Sequence, residues 1–199
     1  MSIELPRKPG VRRATPRLLD FGGRLIPILG GPVQNLQRLG TRFSFEFELP
    51  PVRSEPFGRE WVGKLAQAKL GGAIMPFLQD GFSPGAPGAL VVDGAGQSGS
   101  LLAVRGGTRG YGFRFGQFVS LIHDGRRYLH MVTAPTRLDA DGKATLPILP
   151  MLRVIPDDAD QVEVALPKIE GSLVADDLPW DVTDEPFVEL GRIRIDEDA

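Results

Sequence analysis

Two histidines, His123 and His130, bracket the run Asp124-Gly125-Arg126-Arg127-Tyr128-Leu129. Together with Asp124 they supply the donor types of a two-histidine, one-carboxylate metal site. Spacing argues against it. A two-residue turn at Asp124-Gly125 sets His123 opposite Arg126, Leu121 opposite Tyr128 and Val119 opposite His130, so the imidazoles fall at different ends of a hairpin. His123 then flanks a turn, and His130 is a strand histidine satisfied by its surroundings. Three acidic pairs, Asp157-Asp158, Asp176-Asp177 and Asp184-Glu185, have the residue types of a glycosidase dyad. Such a dyad works across a cleft with apolar walls. These pairs lie in turn-rich acidic sequence, where solvent exposure is the default. Asp139-Ala140-Asp141-Gly142 starts like a calcium loop but lacks the later bidentate glutamate, which favours a turn.

Gly94-Ala95-Gly96-Gln97-Ser98-Gly99 matches the spacing GxGxxG. A dinucleotide site needs a helix after such a loop, because the helix N-terminus supplies the dipole and amides that hold pyrophosphate. Here Ser100–Arg105 reads as a strand, so a tight loop is expected. The chain contains neither GxxxxGK[ST] nor GxSxG, and no cysteine. A thiol nucleophile, a thiolate metal site and a disulfide framework are excluded. The expectation is a protein with no catalytic, cofactor-binding or metal-binding residues: no enzyme.

The elements around these residues are mostly strands. Gly and Pro number 25 and 18 in 199 residues, and turn signals are frequent, which favours many short strands. Thr41–Leu49 alternates cleanly, with Phe43, Phe45 and Phe47 on one face. Ser54–Leu70 is the single helix: Ser54 as cap, Pro56 in the first turn, Phe57, Trp61, Leu65 and Ala68 as its apolar stripe, and Gly71-Gly72 as its stop. Asp124-Gly125 and Asp141-Gly142 both qualify as hairpin turns. Further strands are expected over residues 73–79, 90–92, 100–105, 113–123, 126–133, 144–149, 162–166, 169–174 and 187–195, with Gly191 marking a bulge. The fold class is all-β, a β-sandwich or β-barrel with one short helix. Its parts are an extended N-terminal arm (1–40), a β-rich core (41–154) and acidic C-terminal strands completing or extending that core (155–199).

Net charge is −2, unevenly spread. Residues 1–42 carry eight basic and two acidic side chains, whereas the tail is acidic. Arm and tail can attract each other, within one chain or between neighbours. The candidate contacts are Arg12, Arg13 and Arg17 against Asp176, Asp177, Asp184 and Glu185. Ordinary solvated surface charge is the other reading. Nucleic-acid specificity is not expected, because Phe21 is the only aromatic residue before Phe43 and stacking needs aromatics. No apolar run approaches the ~18 residues of a membrane helix. Nothing at the N-terminus reads as a signal peptide, so a soluble product made in the cytoplasm is expected.

Three segments carry a resemblance: Arg38-Leu39-Gly40-Thr41-Arg42-Phe43 leading to Pro50-Pro51; Arg59-Glu60-Trp61 in the helix; and Gly116–Arg153, above all Tyr128-Leu129-His130, Asp141-Gly142-Lys143-Ala144-Thr145-Leu146 and Ile148-Leu149-Pro150-Met151-Leu152-Arg153. Together they resemble small minor tail proteins of long-tailed bacteriophages, of the distal-tail or tail-tip type. The resemblance implies a β-sandwich or β-barrel subunit of the virion tail, made in the host cytoplasm. Its copies assemble as a ring, a hexamer among the options, that links the tail tube to the hub and fibres. It carries over no catalytic residue. The alternative is a carbohydrate-binding β-sandwich module with Trp61, Tyr111 or Trp180 as a stacking surface. A hydrolase using Asp177 or Glu185 comes third.

Overall fold

The structure, a computed structural model, describes residues 1–79, 81–174, 178–182 and 186–198. Among the described residues it is β-rich with one α-helix, as expected from sequence. The chain divides into two compact units. A split unit gathers Met1–Arg17, Phe43–Leu78 and Lys168–Asp198; a barrel unit holds Leu18–Arg42 and Gln79–Pro167. These boundaries cut across the three-part division read from composition. Residues 1–17 are part of a compact unit, and the acidic strands are shared between the two.

The barrel is closed by six strands in the order Phe118–His123, Arg126–Val132, Ala144–Leu152, Gly99–Gly107, Gly88–Val92 and Gln161–Glu163, the last pairing back on the first. Asp124 and Gly125 have φ of 50° and 73°, the left-handed pair that a type I′ turn demands. That turn sets the register expected from sequence: His123 opposite Arg126, Leu121 opposite Tyr128, Val119 opposite His130. Alternation then sends Leu90, Val92, Leu102, Val104, Val119, Leu121, Val132, Leu146, Ile148 and Val162 into one aliphatic core. A barrel this narrow is filled by its own side chains and leaves no lumen for a ligand.

Asp141-Gly142 does not make a two-residue hairpin. Thr136–Arg137 pairs with Gly112–Phe113 instead of with Ala144–Leu152. Only Gly142 takes positive φ, and the Asp139 carboxylate accepts from the amides of Asp141 (2.9 Å) and Lys143 (2.8 Å). Asp139 satisfies these amides locally, so the loop closes around its side chain rather than as a type I′ turn.

The split unit is built on a six-stranded sheet in the order Ile3–Glu4, Ala73–Pro76, Lys168–Leu173, Ile193–Glu197, Arg42–Glu48 and Arg13–Leu19. Phe43, Phe45 and Phe47 are buried, and Phe45 packs on Phe77 at 5.2 Å between ring centroids. The helix, Arg59–Gly71, buries Trp61, Leu65 and Ala68, and Gly72 ends it with φ of 88°. Its approach differs from the expectation. Ser54 makes no side-chain cap, and Glu55 is extended (φ −121°, ψ 135°), because a residue before proline is driven out of the helical region. Phe57 is consequently left off the buried stripe and stays exposed. Gly191 marks no bulge within one strand. It separates Phe187–Leu190, which pairs with Trp180–Val182, from Ile193–Glu197, which joins the large sheet.

The first residues of the arm lie on their own chain. Ile3–Glu4 runs parallel to Ala73–Pro76, the Leu5 amide donates to Ile74 O at 2.9 Å, and Leu5 is 1% exposed. Farther along, Gly23–Leu25 and Gln34–Leu36 form a separate two-stranded hairpin.

Candidate functional site

The two histidines are each held by a hydrogen bond to another part of the barrel. His123 Nδ1 lies 2.7 Å from Asp160 Oδ2, and its Nε2 faces Asp124 Oδ2 at 3.7 Å. The Asp160 hydrogen bond pushes the His123 pKa up. His130 is fully buried. Its Nδ1 donates to Pro150 O at 2.9 Å, while Nε2 has no hydrogen-bond partner among the described residues. Burial pulls its pKa down to about 4, and the positive charge of Arg153 adds to the effect. The imidazoles therefore serve different places. Among the described residues no cluster of His, Asp or Glu could hold a metal ion.

One rim of the barrel carries a charge cluster. Asp158 receives Arg105 Nη2 at 3.0 Å and the Gly94 amide at 2.8 Å; Asp93 receives Lys143 Nζ at 3.0 Å and Arg105 Nη1 at 3.1 Å. The Arg105 guanidinium holds the Asp158 pKa down at about 2. Asp93 and Asp158 are both paired with basic side chains here, so the cluster ties loops together. The GxGxxG segment is part of it. Gln97 bonds the carbonyls of Asp93, Gly94 and Ala103, and a strand, Gly99–Gly107, follows. Side-chain lacing of the loop leaves it no amide nest for phosphate.

The basic residues singled out from sequence lie at the sheet edge of the split unit. The Arg12 amide donates to Glu48 O at 2.8 Å, and Arg17 Nη2 meets Glu46 Oε2 at 3.1 Å. Arg13, Arg17 and Arg192 line a small hollow of about 130 Å³ with Glu46 and Glu48. Of the acidic partners, Asp176, Asp177, Asp184 and Glu185 all lie outside the described residues.

Of the aromatic candidates, Trp61 is fully buried with Nε1 donating to Lys8 O at 2.9 Å, so it cannot stack on a ligand. Tyr111 packs edge-on against Phe113, and its hydroxyl accepts from Gln117 Nε2 at 2.9 Å. Trp180 alone is exposed, at 46%. It borders a groove of about 420 Å³ with Gly58, Val62, Gly63 and Val188. A larger groove, about 600 Å³, runs between the 23–36 hairpin and Leu149-Pro150-Met151. Its one carboxylate, Asp20, already accepts from the Gly22 amide and from Thr41 Oγ1.

Sequence reasoning missed the most conspicuous surface feature. Ile26, Ile28 and Leu29 are 69%, 101% and 99% exposed at the end of the 23–36 hairpin. The available signal was an apolar run, Leu25-Ile26-Pro27-Ile28-Leu29, bounded by Gly30-Gly31. No protein-family model and no curated protein matches the chain.

Proposed function

We propose that this chain is a structural subunit of a bacteriophage tail tip or distal tail ring, linking the tail tube to the hub and fibres. The observation that carries the reading is where the apolar residues go. The barrel is packed solid and its polar clusters are internally matched, while branched aliphatic side chains stand in solvent on a two-stranded hairpin. Exposed apolar groups of this kind fit a protein whose work is contact with other proteins. The resemblance carried by residues 38–51, 59–61 and 116–153 supplies the kind of assembly.

The test is light scattering of the purified chain with negative-stain imaging of the same sample. Rings of one diameter are expected. A strict monomer at every concentration, on its own and with isolated tail tubes, counts against the reading. The exposed Trp180 in its groove favours one second reading, a carbohydrate-binding module. Glycan-array binding that disappears in Trp180→Ala would move the assignment there.

A further inference from the structure

The barrel strand Ala144–Leu152 is interrupted on one edge. Its partner Gly99–Gly107 meets it at Pro147 opposite Leu101 and next at Leu152 opposite Gly99. Three extra residues therefore bow out of the ladder between Pro147 and Leu152, a bulge of the kind that re-aims side chains. His130 stands behind it, fully buried, with Nδ1 donating to Pro150 O at 2.9 Å. A buried imidazole is a costly way to fill space, since its Nε2 finds no partner among the described residues. What it contributes is a fixed carbonyl inside the bulge. Leu149 and Met151, on either side of Pro150, are half-buried and form one wall of the groove of about 600 Å³.

The opposite wall is the base of the 23–36 hairpin, which is also anchored. The Asp20 carboxylate accepts from the Gly22 amide at 2.8 Å and from Thr41 Oγ1 at 3.1 Å. Gly22 has no room for a side chain: a Cβ there would lie 2.6 Å from Leu36 O. Arg24 and Arg38 line the same groove, and neither guanidinium has an ion-pair or hydrogen-bond partner among the described residues. Arg38 Nη2 lies over Gly23, 3.9 Å from where a Cβ would stand, so no Gly23 side chain screens it. Among the described residues lining the groove, Asp20 is the one carboxylate. The groove thus joins a single net positive charge to an apolar surface of Leu36, Leu149 and Met151.

We propose that this groove binds a small amphipathic monocarboxylate. Arg24 and Arg38 supply guanidinium forks, which hold a carboxylate through paired N–H···O bonds. Leu149 and Met151 cover its apolar body. Size and lining suit such a ligand, because small-molecule sites run from roughly 300 to 1,000 Å³ and are mostly apolar with a few placed polar groups. Charge selects among anions. Two arginines against Asp20 leave one positive charge, which one carboxylate neutralises. A phosphate dianion would leave a charge uncompensated against an apolar wall. The site lies within the barrel unit, so it does not depend on assembly into a ring.

Octanoate is the probe, titrated into the full-length protein by calorimetry at neutral pH. Saturable binding at a single site per chain is expected. Octanol, the same body without the charge, should bind at least about tenfold more weakly. In amide NMR spectra the largest shifts should fall at Gly22, Gly23, Leu149 and Met151. An Arg24→Gln, Arg38→Gln chain should melt like the unmodified protein and bind octanoate at least about tenfold more weakly. Trp180→Ala, at the other groove, should bind it unchanged. Absence of saturable binding overturns the proposal, as does full affinity in the double arginine variant. If that variant melts lower, the octanol comparison and the shift map decide. Equal binding of octanol would make the groove a plain apolar receptor, and tighter binding of octyl phosphate would make it a phosphate site. Either result overturns the carboxylate assignment. Shifts centred on Trp180 would put the probe in the other groove, with the same consequence.

Discussion

The two units solve the same packing problem by different routes. All six barrel strands fall between residues 88 and 163, and each strand but Gln161–Glu163 has a near neighbour in sequence as a partner. The sheet of the split unit draws on residues 3–19, 42–48, 73–76 and 168–197. The barrel core is mainly aliphatic, with β-branched residues alternating along short strands. The split unit leans on rings, with Phe45, Phe47, Phe77 and Trp61 in successive contact. Large aromatic surfaces suit a core whose parts arrive from distant places, because each buries much area per residue ordered. Local turns specify the first unit, and long-range apolar contact specifies the second.

The contrast breaks most sharply at Gly171. A Cβ there would lie 1.9 Å from the carbonyl oxygen of Asp196, backbone against backbone. Gly171→Ala is expected to destabilise the split unit by more than about 4 kcal/mol. Limited proteolysis checks this: cleavage should spread through residues 43–78 and 168–198 while residues 88–163 stay protected. Loss of the barrel at the same time would mean that the units unfold as one.

Leu5→Ala comes next, at about 3 kcal/mol for a fully buried leucine. Chemical denaturation should place the whole loss in the transition that also exposes Trp61. A change below about 0.5 kcal/mol would return residues 1–8 to the status of a detachable arm.

His130 gives the contrast a pH axis. Its imidazole is neutral in the barrel with a pKa near 4, against 6.5 when unfolded. Between those values the unfolded chain binds a proton that the folded barrel refuses. The His130 contribution is therefore fully present above pH 6.5, and about 3 kcal/mol of it is lost as pH falls to 4. His130→Gln should abolish that acid slope. Thermal melts from pH 7 to pH 4 read it, and an unchanged slope in the variant would assign the acid loss to carboxylates.

The smallest effect is expected at Arg17. The Arg17 end of its ion pair with Glu46 is about half exposed, and Arg17→Ala should shift stability by no more than about 0.5 kcal/mol. A larger loss, measured by the same melts, would mean that the sheet edge depends on charge.

Legibility followed the same division. The register of the Phe118–Val132 hairpin was readable, because an Asp-Gly turn fixes it without knowledge of anything distant, but its first strand starts at Phe118, not at Phe113, which pairs elsewhere. The Arg42–Glu48 strand and the Trp61 helix were readable as elements, from periods of two and three to four. Their partners were not. Nothing local says that Phe45 lies opposite Ile195 or that Ile3 runs beside Ala73. Asp141-Gly142 misled because the side chain of Asp139, two residues upstream, captures the same amides. At the candidate site, sequence drew attention to charge at Arg12, Arg13 and Arg17. The surface feature that stands out is apolar, at Ile28 and Leu29. Exposure of a hydrophobic pair is invisible until neighbours are placed, since the same pair in a sequence reads as core.

The pairing of the first barrel strand with the last has a consequence for how the chain is made. Val91 lies opposite Gln161 and Leu90 opposite Val162, and farther out along the chain Pro76 lies opposite Lys168. A nascent chain emerges from its N-terminus, so the barrel can close before the central strand of the other sheet, Lys168–Leu173, has been synthesised. A closed barrel acts as a splint. It shortens the effective loop joining Pro76 to Lys168 to thirteen residues on one side and five on the other, which lowers the entropic cost of that pairing by about 1 kcal/mol. Damage to the barrel therefore slows maturation of a sheet whose own residues are untouched, and it leaves Phe45 and Phe77 waiting in solvent meanwhile.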